Sequence, residues 1–220
     1  PICLVSEDDN NPEVQSHIEN GGMAVTLKSN EQTKSIRLTA GLNIVGEIDA
    51  GTIPATYNCS YSPAIANAMF AVAASFATGL SCHQIAKSLS TFQSNVSTNP
   101  GRMNFIDGLP CQTIVTWADG LIAFKSLSNF IQNFGHSSAD KTLLFTCMGN
   151  RSEKFIFESC SAVAEGFTKF VCTEFDEDRR GKAPGEISNL LAMGLRKTGV
   201  KESAIAVEPS FSTAIRQTLA

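Results

Sequence analysis

From Gln112 to the end, the sequence alternates four times between a short, unbroken apolar run and a longer stretch with helical spacing, and few folds tolerate that order. "QTIVTW" precedes "GLIAFKSLSNFIQNF", and "TLLFTCM" precedes "SEKFIFESCSAVAEGF". "KFVCTEF" precedes "PGEISNLLAMGLRKTG", and "SAIAVE" precedes "SFSTAIRQTL". Runs without polar alternation belong to strands covered on both faces, the condition met in a parallel sheet. Strand–helix units in succession fold as an open α/β sheet with helices on both sides. The pattern predicts a mostly parallel, four-stranded sheet over the second half of the chain. Ligands of such sheets collect beyond the carboxyl ends of the strands. The loops starting at Trp117, Gly149 and Asp176 fall on that edge.

The first half reads as α+β. "NNPEVQSHIENGG" is a short helix, started by Asn11 and Pro12 and stopped by Gly21 and Gly22. "MAVTL" and "SIRLT" are strands separated by the polar turn "KSNEQTK", and residues 40–60 read as loop-rich. A helix follows over 62–79, with Ser62 as its cap, Pro63 in its first turn and Gly79 at its stop. A second helix, "SCHQIAKSLSTF", is capped by Ser81, and "QSNVSTNPGR" reads as a linker. The run "AIANAMFAVAASFATGL" is Ala-rich and carries Asn67, so it reads as a buried helix and not a membrane span.

At 43% hydrophobic residues the chain can bury a core, and its net charge of -4 argues against nucleic acid as the main partner. "PICLVSEDDNN" has no basic start, so no signal peptide is read there. The seven cysteines include no C-x-x-C pair, and several sit inside apolar runs, which suits free thiols in a reducing cytoplasm. His17, His83 and His136 are isolated and fit no ligand motif, so no metal site is expected.

The charged stretch "FDEDRRGKAPGEI" lies between the third apolar run and its helix. One reading is a solvated loop. The other is a site for a zwitterion, in which Asp176, Asp178 and Glu186 hold a cationic end and Arg179 or Arg180 holds a carboxylate. Glu186 also suits the first turn of a helix, where the dipole favours a carboxylate. Asn150 and Arg151 follow Gly149 at a strand-to-helix turn, suited either to capping or to an anion. Trp117, the only tryptophan, fits a core position or a stacking surface. Asn67 fits either a helix–helix hydrogen bond or a ligand contact.

Taken in order, "SPAIANAMFAVAASFATGLSCHQIAKSLSTF", "NPGRMNF", "CMGNRSEK" and "EFDEDRRGKAPGEISNLLAMGLRKTG" resemble the Mur ligase family, nearest to its cyanophycin synthetase branch. The likeness is good over roughly residues 60–200 and weak before them, and the Arg-Gly-x-x-Pro-Gly-Glu loop is its most specific part. It implies the tail of a central ATP-binding domain over residues 1–99 and a Rossmann-like C-terminal domain over 100–220. It also implies ATP- and Mg2+-dependent amide-bond formation, in which an acyl phosphate is attacked by an amine, that of arginine in the cyanophycin branch. Asn67 would then meet the adenine and Arg102 a phosphate, while Trp117, Asp119, Asn150, Arg151 and the charged loop would meet the substrate. An amino acid or polymer substrate, the rest of the ligase chain and a second copy are the partners implied, with neither nucleic acid nor membrane.

Three departures qualify that expectation. No G-x-x-x-x-G-K-[ST] stretch, the loop that cradles ATP phosphates, occurs in these residues. Thr116 to Leu121 stand where the family has Asp-Tyr-Ala-His-Asn-Pro, so Thr116 replaces its aspartate. After "STAIRQTLA" the family adds a last strand. The sequence thus predicts either a fragment of a ligase, inactive alone and without tightly held ATP, or a degenerate module that binds a substrate or partner without chemistry.

Overall fold

The computed structural model describes residues 2–30, 33–135 and 139–220, so Glu31 and Gln32 of the polar turn, and His136, lie outside the described residues. The chain divides into two compact units, Pro1–Pro100 and Gly101–Ala220.

In the first unit, strand β1 (Cys3–Ser6) precedes helix α1 (Pro12–Glu19), and strands β2 (Met23–Ser29), β3 (Lys34–Ala40) and β4 (Asn43–Asp49) follow. They form one sheet in the order β1-β2-β3-β4, with β1 parallel to β2 and the other pairs antiparallel. Asn11 caps α1 by accepting from Glu13 N and Val14 N, with Pro12 in its first turn. Residues 43–49, expected as loop, are an edge strand, and two 3-10 turns follow it. Strand β1 was not foreseen either. Both are edges, so each gains its structure from one neighbour instead of from its own pattern.

Helix α2 (Ser62–Ala77) packs Ile65, Ala68, Met69 and Val72 onto the sheet. It is covered on one side only. Asn67, Phe70, Ala71 and Ala74 are exposed at helical spacing, so Asn67 makes no buried helix–helix bond, and the reading of a buried helix holds for one face only. Ser62 is the first helical residue and not the cap, a place taken by Tyr61 without a side-chain bond. Helix α3 (Cys82–Thr91) begins as expected, with Ser81 and Gln84 forming a reciprocal capping box.

The second unit holds the strand–helix alternation. Strands β5 (Asn104–Ile106) and β6 (Thr113–Val115) form an antiparallel hairpin, followed by helix α4 (Leu121–Asn133). Strand β7 (Thr142–Phe145) leads to α5 (Glu153–Val163), β8 (Lys169–Glu174) to α6 (Glu186–Lys197), and β9 (Ile205–Ser210) to α7 (Phe211–Leu219). Strands β7, β8 and β9 pair in parallel, in that order. The open parallel α/β sheet is present, but with three strands among the described residues instead of four. Strand β6 left it because a partner lay close by. "NFI" sits only a short turn upstream, and closing that turn costs little chain entropy. Burial on both faces holds for the central strand β8, whose Phe170, Cys172, Thr173 and Glu174 are all buried; β9 is largely exposed.

Helices α5 and α6 cover the sheet through Ile156, Cys160, Val163, Ile187, Leu191 and Leu195. A β-carbon on Gly194 would stand 2.6 Å from Cys160 Sγ, so a glycine there lets the two helices close. Burial pushes the Cys160 and Cys172 thiols up to about 12 from an ordinary 9.0. The unfolded chain would therefore release these protons at lower pH than the folded one. The contribution of these two thiols to stability should be constant below pH 9 and be lost as pH climbs from 9 toward 12, a fall that melting curves across that window would show. Cys111 is exposed, and a thiol reagent at neutral pH should label it well before the two buried thiols.

Candidate functional site

Three segments meet at the carboxyl edge of the second unit. The first follows β6. Trp117 donates its N–H to the Gly101 carbonyl at 2.8 Å, and Arg102 donates from a guanidinium NH to the Trp117 carbonyl at 3.2 Å. The Trp117 backbone is thus held on both sides while the residue stays 51% exposed, which disposes of the core reading. Two residues on, Asp119 forms an ion pair with Arg151.

The second segment is the turn from β7 into α5. Arg151 also lies over the Phe155 ring, 5.0 Å from its centre, and its Nε is buried without a hydrogen-bond partner. Asn150 is exposed. Neither residue caps the helix; Ser152 does, accepting from Phe155 N at 3.2 Å. Beside them burial lifts the Cys147 thiol to about 11, with the Arg151 guanidinium opposing it, so this thiol is no nucleophile near neutral pH.

The third segment is the charged loop from β8 to α6. It opens with a 3-10 turn over Asp176–Asp178 and passes through Arg180, Gly181 and Gly185, all at positive φ. Ala183 to Glu186 is a type II turn. Glu186 N donates to the Ala183 carbonyl at 3.0 Å, Pro184 takes the second place, and Gly185 sits at φ 82, ψ -9. Pro184 therefore shapes the turn that leads into α6, which begins at Glu186. The second and third segments are joined directly, since Gly149 N donates to the Asp178 carbonyl at 2.9 Å. A β-carbon on Gly149 would lie 1.9 Å from the Arg179 carbonyl oxygen, so only glycine admits this approach. Arg180 reaches back to Met148 Sδ at 3.8 Å.

Most charges of the loop are already paired. Arg180 meets Asp178 at 3.3 Å, and Arg179 meets Asp176 at 3.6 Å. Glu186 accepts from Lys182 at 2.6 Å and from Ala183 N at 2.9 Å. The Lys182 bond, then the Ala183 N–H, hold its carboxyl below the usual range. Glu186 thus sits in the helix-start role open to it in the sequence.

One residue of this site went unread in the sequence. Glu174, the last residue of β8, is 2% exposed. Its carboxylate accepts from Gly185 N at 2.7 Å and Ser188 N at 3.4 Å, and Arg179 NH1 stands 3.9 Å away. Exposed ion pairs contribute about 0–1 kcal/mol. Glu174 differs from the other carboxylates of the loop in being buried and in accepting from two backbone N–H groups. Its signal was indirect: α6 has Gly185 at its cap position, which offers no side chain, so an acceptor had to come from elsewhere.

Hollows of about 370 and 320 Å³ lie elsewhere, beside Phe157, Ser161, Gly194 and Lys197 and beside Phe167, Phe170 and Val200. The strand-end edge remains the candidate site, because it brings acidic, basic and aromatic groups of three segments together. Of the other sequence-predicted residues, Asn67 belongs to the first unit and Arg102 to the second. Among the described residues no three His, Cys, Asp or Glu side chains are grouped to hold a metal, and no helix is long and apolar enough to cross a membrane.

No protein-family profile matches the chain. It is similar to the cyanophycin synthetase of Synechocystis, 25% identical over 194 residues, and to that of Nostoc, 29% identical over 192 residues. The matches cover 88% and 87% of this chain but 21% and 20% of those proteins, so the chain spans about a fifth of their length. Among solved structures it resembles Escherichia coli FolC in complex with ADP, with a TM-score of 0.62 at 13% identity, over 99% of this chain and 47% of that one. It also resembles Mycobacterium tuberculosis folylpolyglutamate synthase complexed with ADP, with a TM-score of 0.57 at 12% identity, over 98% and 46% of the two chains. The chain is thus similar in sequence to cyanophycin synthetases, and its α/β fold resembles that of FolC and folylpolyglutamate synthase.

Proposed function

We propose that residues 1–99 are the end of the central nucleotide domain of a cyanophycin synthetase-like ligase, that residues 100–220 are its C-terminal domain, and that the edge described above receives the incoming amino acid. In the reaction proposed, an aspartate side-chain carboxylate takes the terminal phosphoryl group of ATP and ADP leaves. The amine of the amino acid, arginine by the likeness in sequence, attacks the acyl carbon. Phosphate departs, the amine gives up a proton, and an amide remains. Asn67 and Arg102 are assigned to the nucleotide. Trp117, Asp119, Asn150, Arg151, Asp176, Asp178, Arg179, Arg180 and Glu186 are assigned to the amino-acid side.

The observation that carries this reading is the direct linkage of the mixed-sign loop to the Gly149 turn, beside the Asp119–Arg151 pair and an exposed tryptophan. A zwitterion needs both signs within reach, and a guanidinium fork suits a carboxylate. The donor set here does not suit ATP and Mg2+, having neither a phosphate-cradling glycine loop nor a grouped set of metal ligands among the described residues. No step of phosphoryl transfer is assigned to these residues.

In the intact ligase, Arg179→Ala and Asp178→Ala are each expected to weaken amino-acid binding by about 1–3 kcal/mol. Unchanged affinity in both, with the fold intact, would leave the loop as surface. The 220-residue chain alone is expected to hydrolyse no ATP. Measurable turnover that is lost in Arg102→Ala would overturn that.

A second reading, a degenerate module that binds without chemistry, is favoured by one feature. Thr116, which cannot carry a charge, stands where the family has its aspartate. Sequence upstream of these residues decides between the two: a phosphate-binding G-x-x-x-x-G-K-[ST] loop favours the ligase, and its lack favours the module.

A further inference from the structure

We propose that Glu174 is a positioning residue, whose buried carboxylate fixes the β8–α6 loop and with it the guanidinium of Arg179 in the form that receives the substrate's carboxylate. The inference rests on the reading of this loop as the amino-acid site.

Glu174 ends the central strand, where both faces of the sheet are covered and the backbone is least free to shift. The β8–β9 pairing changes register between Cys172 and Glu174, and Thr173 bonds across to the Pro209 carbonyl at 3.4 Å, so the strand end is anchored on that side too. A carboxylate removed from water must find donors. One oxygen of Glu174 takes Gly185 N at 2.7 Å, which ties down the far end of the loop eleven residues on. The other takes Ser188 N at 3.4 Å, in the first turn of α6. The same carboxylate faces Arg179 NH1 at 3.9 Å, while NH2 faces Asp176 at 3.6 Å. The Arg179 side chain is 26% exposed, so its guanidinium is held from within and still reachable from solvent. Meanwhile Gly149 grips the Asp178–Arg179 backbone from below. Glu174 thus acts at two places, as the cap that Gly185 lacks and as the inner partner of Arg179.

The two roles separate in one substitution. Glu174→Gln keeps an oxygen for Gly185 N but removes the charge that aligns Arg179. The variant is expected to melt within about 2–4 °C of the parent chain. L-Arginine affinity, read from the fluorescence of Trp117, is expected to fall about 10-fold, as it is in Arg179→Ala. The double variant should bind no more weakly than Arg179→Ala alone, because both changes remove one aligned guanidinium. Losses that multiply, or full affinity in Glu174→Gln, would overturn the proposal.

A parent chain that binds neither L-arginine nor any other amino acid sinks the functional reading instead. Hydrogen exchange then decides the role of Glu174 without a ligand. Faster exchange by about 10-fold over residues 175–185 of Glu174→Gln, with β7 and α5 unchanged, upholds it. Exchange equal to the parent's rejects it.

Discussion

Replacing Gly149 with alanine is expected to cost about 3–4 kcal/mol and to weaken amino-acid binding by the intact ligase about 100-fold. The new β-carbon would fall 1.9 Å from the Arg179 oxygen and 2.6 Å from its carbonyl carbon. Both are backbone atoms, so no side chain can turn away to relieve the clash. The two turns must part, and the Gly149 N to Asp178 bond goes with them. Total stabilities are about 5–15 kcal/mol, so the loss is a large share. Urea unfolding followed by the fluorescence of Trp117, the chain's only tryptophan and a residue of the second unit, reads it directly. A stability within 1 kcal/mol of the parent's would show that the turns are not packed as described.

Leu191→Ala is expected to cost about 2–5 kcal/mol. Leu191 is fully buried on α6, in one cluster with Ile156, Phe170, Cys172 and Ile187. Removing its branch leaves a void that close-packed neighbours cannot fill. Since α6 also carries the end of the charged loop, the same variant should loosen that loop. Ile215→Ala, at a side chain 37% exposed on α7, serves as the control and should cost under about 1 kcal/mol. Equal midpoints for the two variants, with unchanged slopes, would refute the placement of this core.

Elements with their own signals were legible in the sequence. Asn11 and Pro12 start α1, and Ser81 with Gln84 starts α3, because capping is written in residues next to each other. The runs that became β7, β8 and β9 were readable as strands, yet their order of burial was not. Only partners on both sides make β8 central. "NIVGEID" was lost for the opposite reason: Ile44 and Val45 point into solvent, and Gly46 breaks the run. That glycine is explained by tertiary packing alone, since a β-carbon there would meet Cys82 Sγ at 2.4 Å. The hairpin of β5 and β6 took away a strand that the alternation had given to the parallel sheet. At the candidate site, the loop and its glycines were readable, while Glu174 was hidden as the one charge near the end of an apolar run, just before the charged stretch. A carboxylate at a strand end is written the same way whether it is buried or bathed in water.

Asp176, Asp178, Arg179, Arg180, Lys182 and Glu186 each hold an ion-pair partner before any substrate arrives. A newcomer that engages these six groups binds by exchange, taking the place of a bond that already exists. Its affinity is then a difference between two similar attractions, and a molecule of matching charge but wrong span gains nothing by displacing partners that already fit. Such a surface selects by length and angle more than by charge, and it stays quiet toward the many ions that share its neighbourhood.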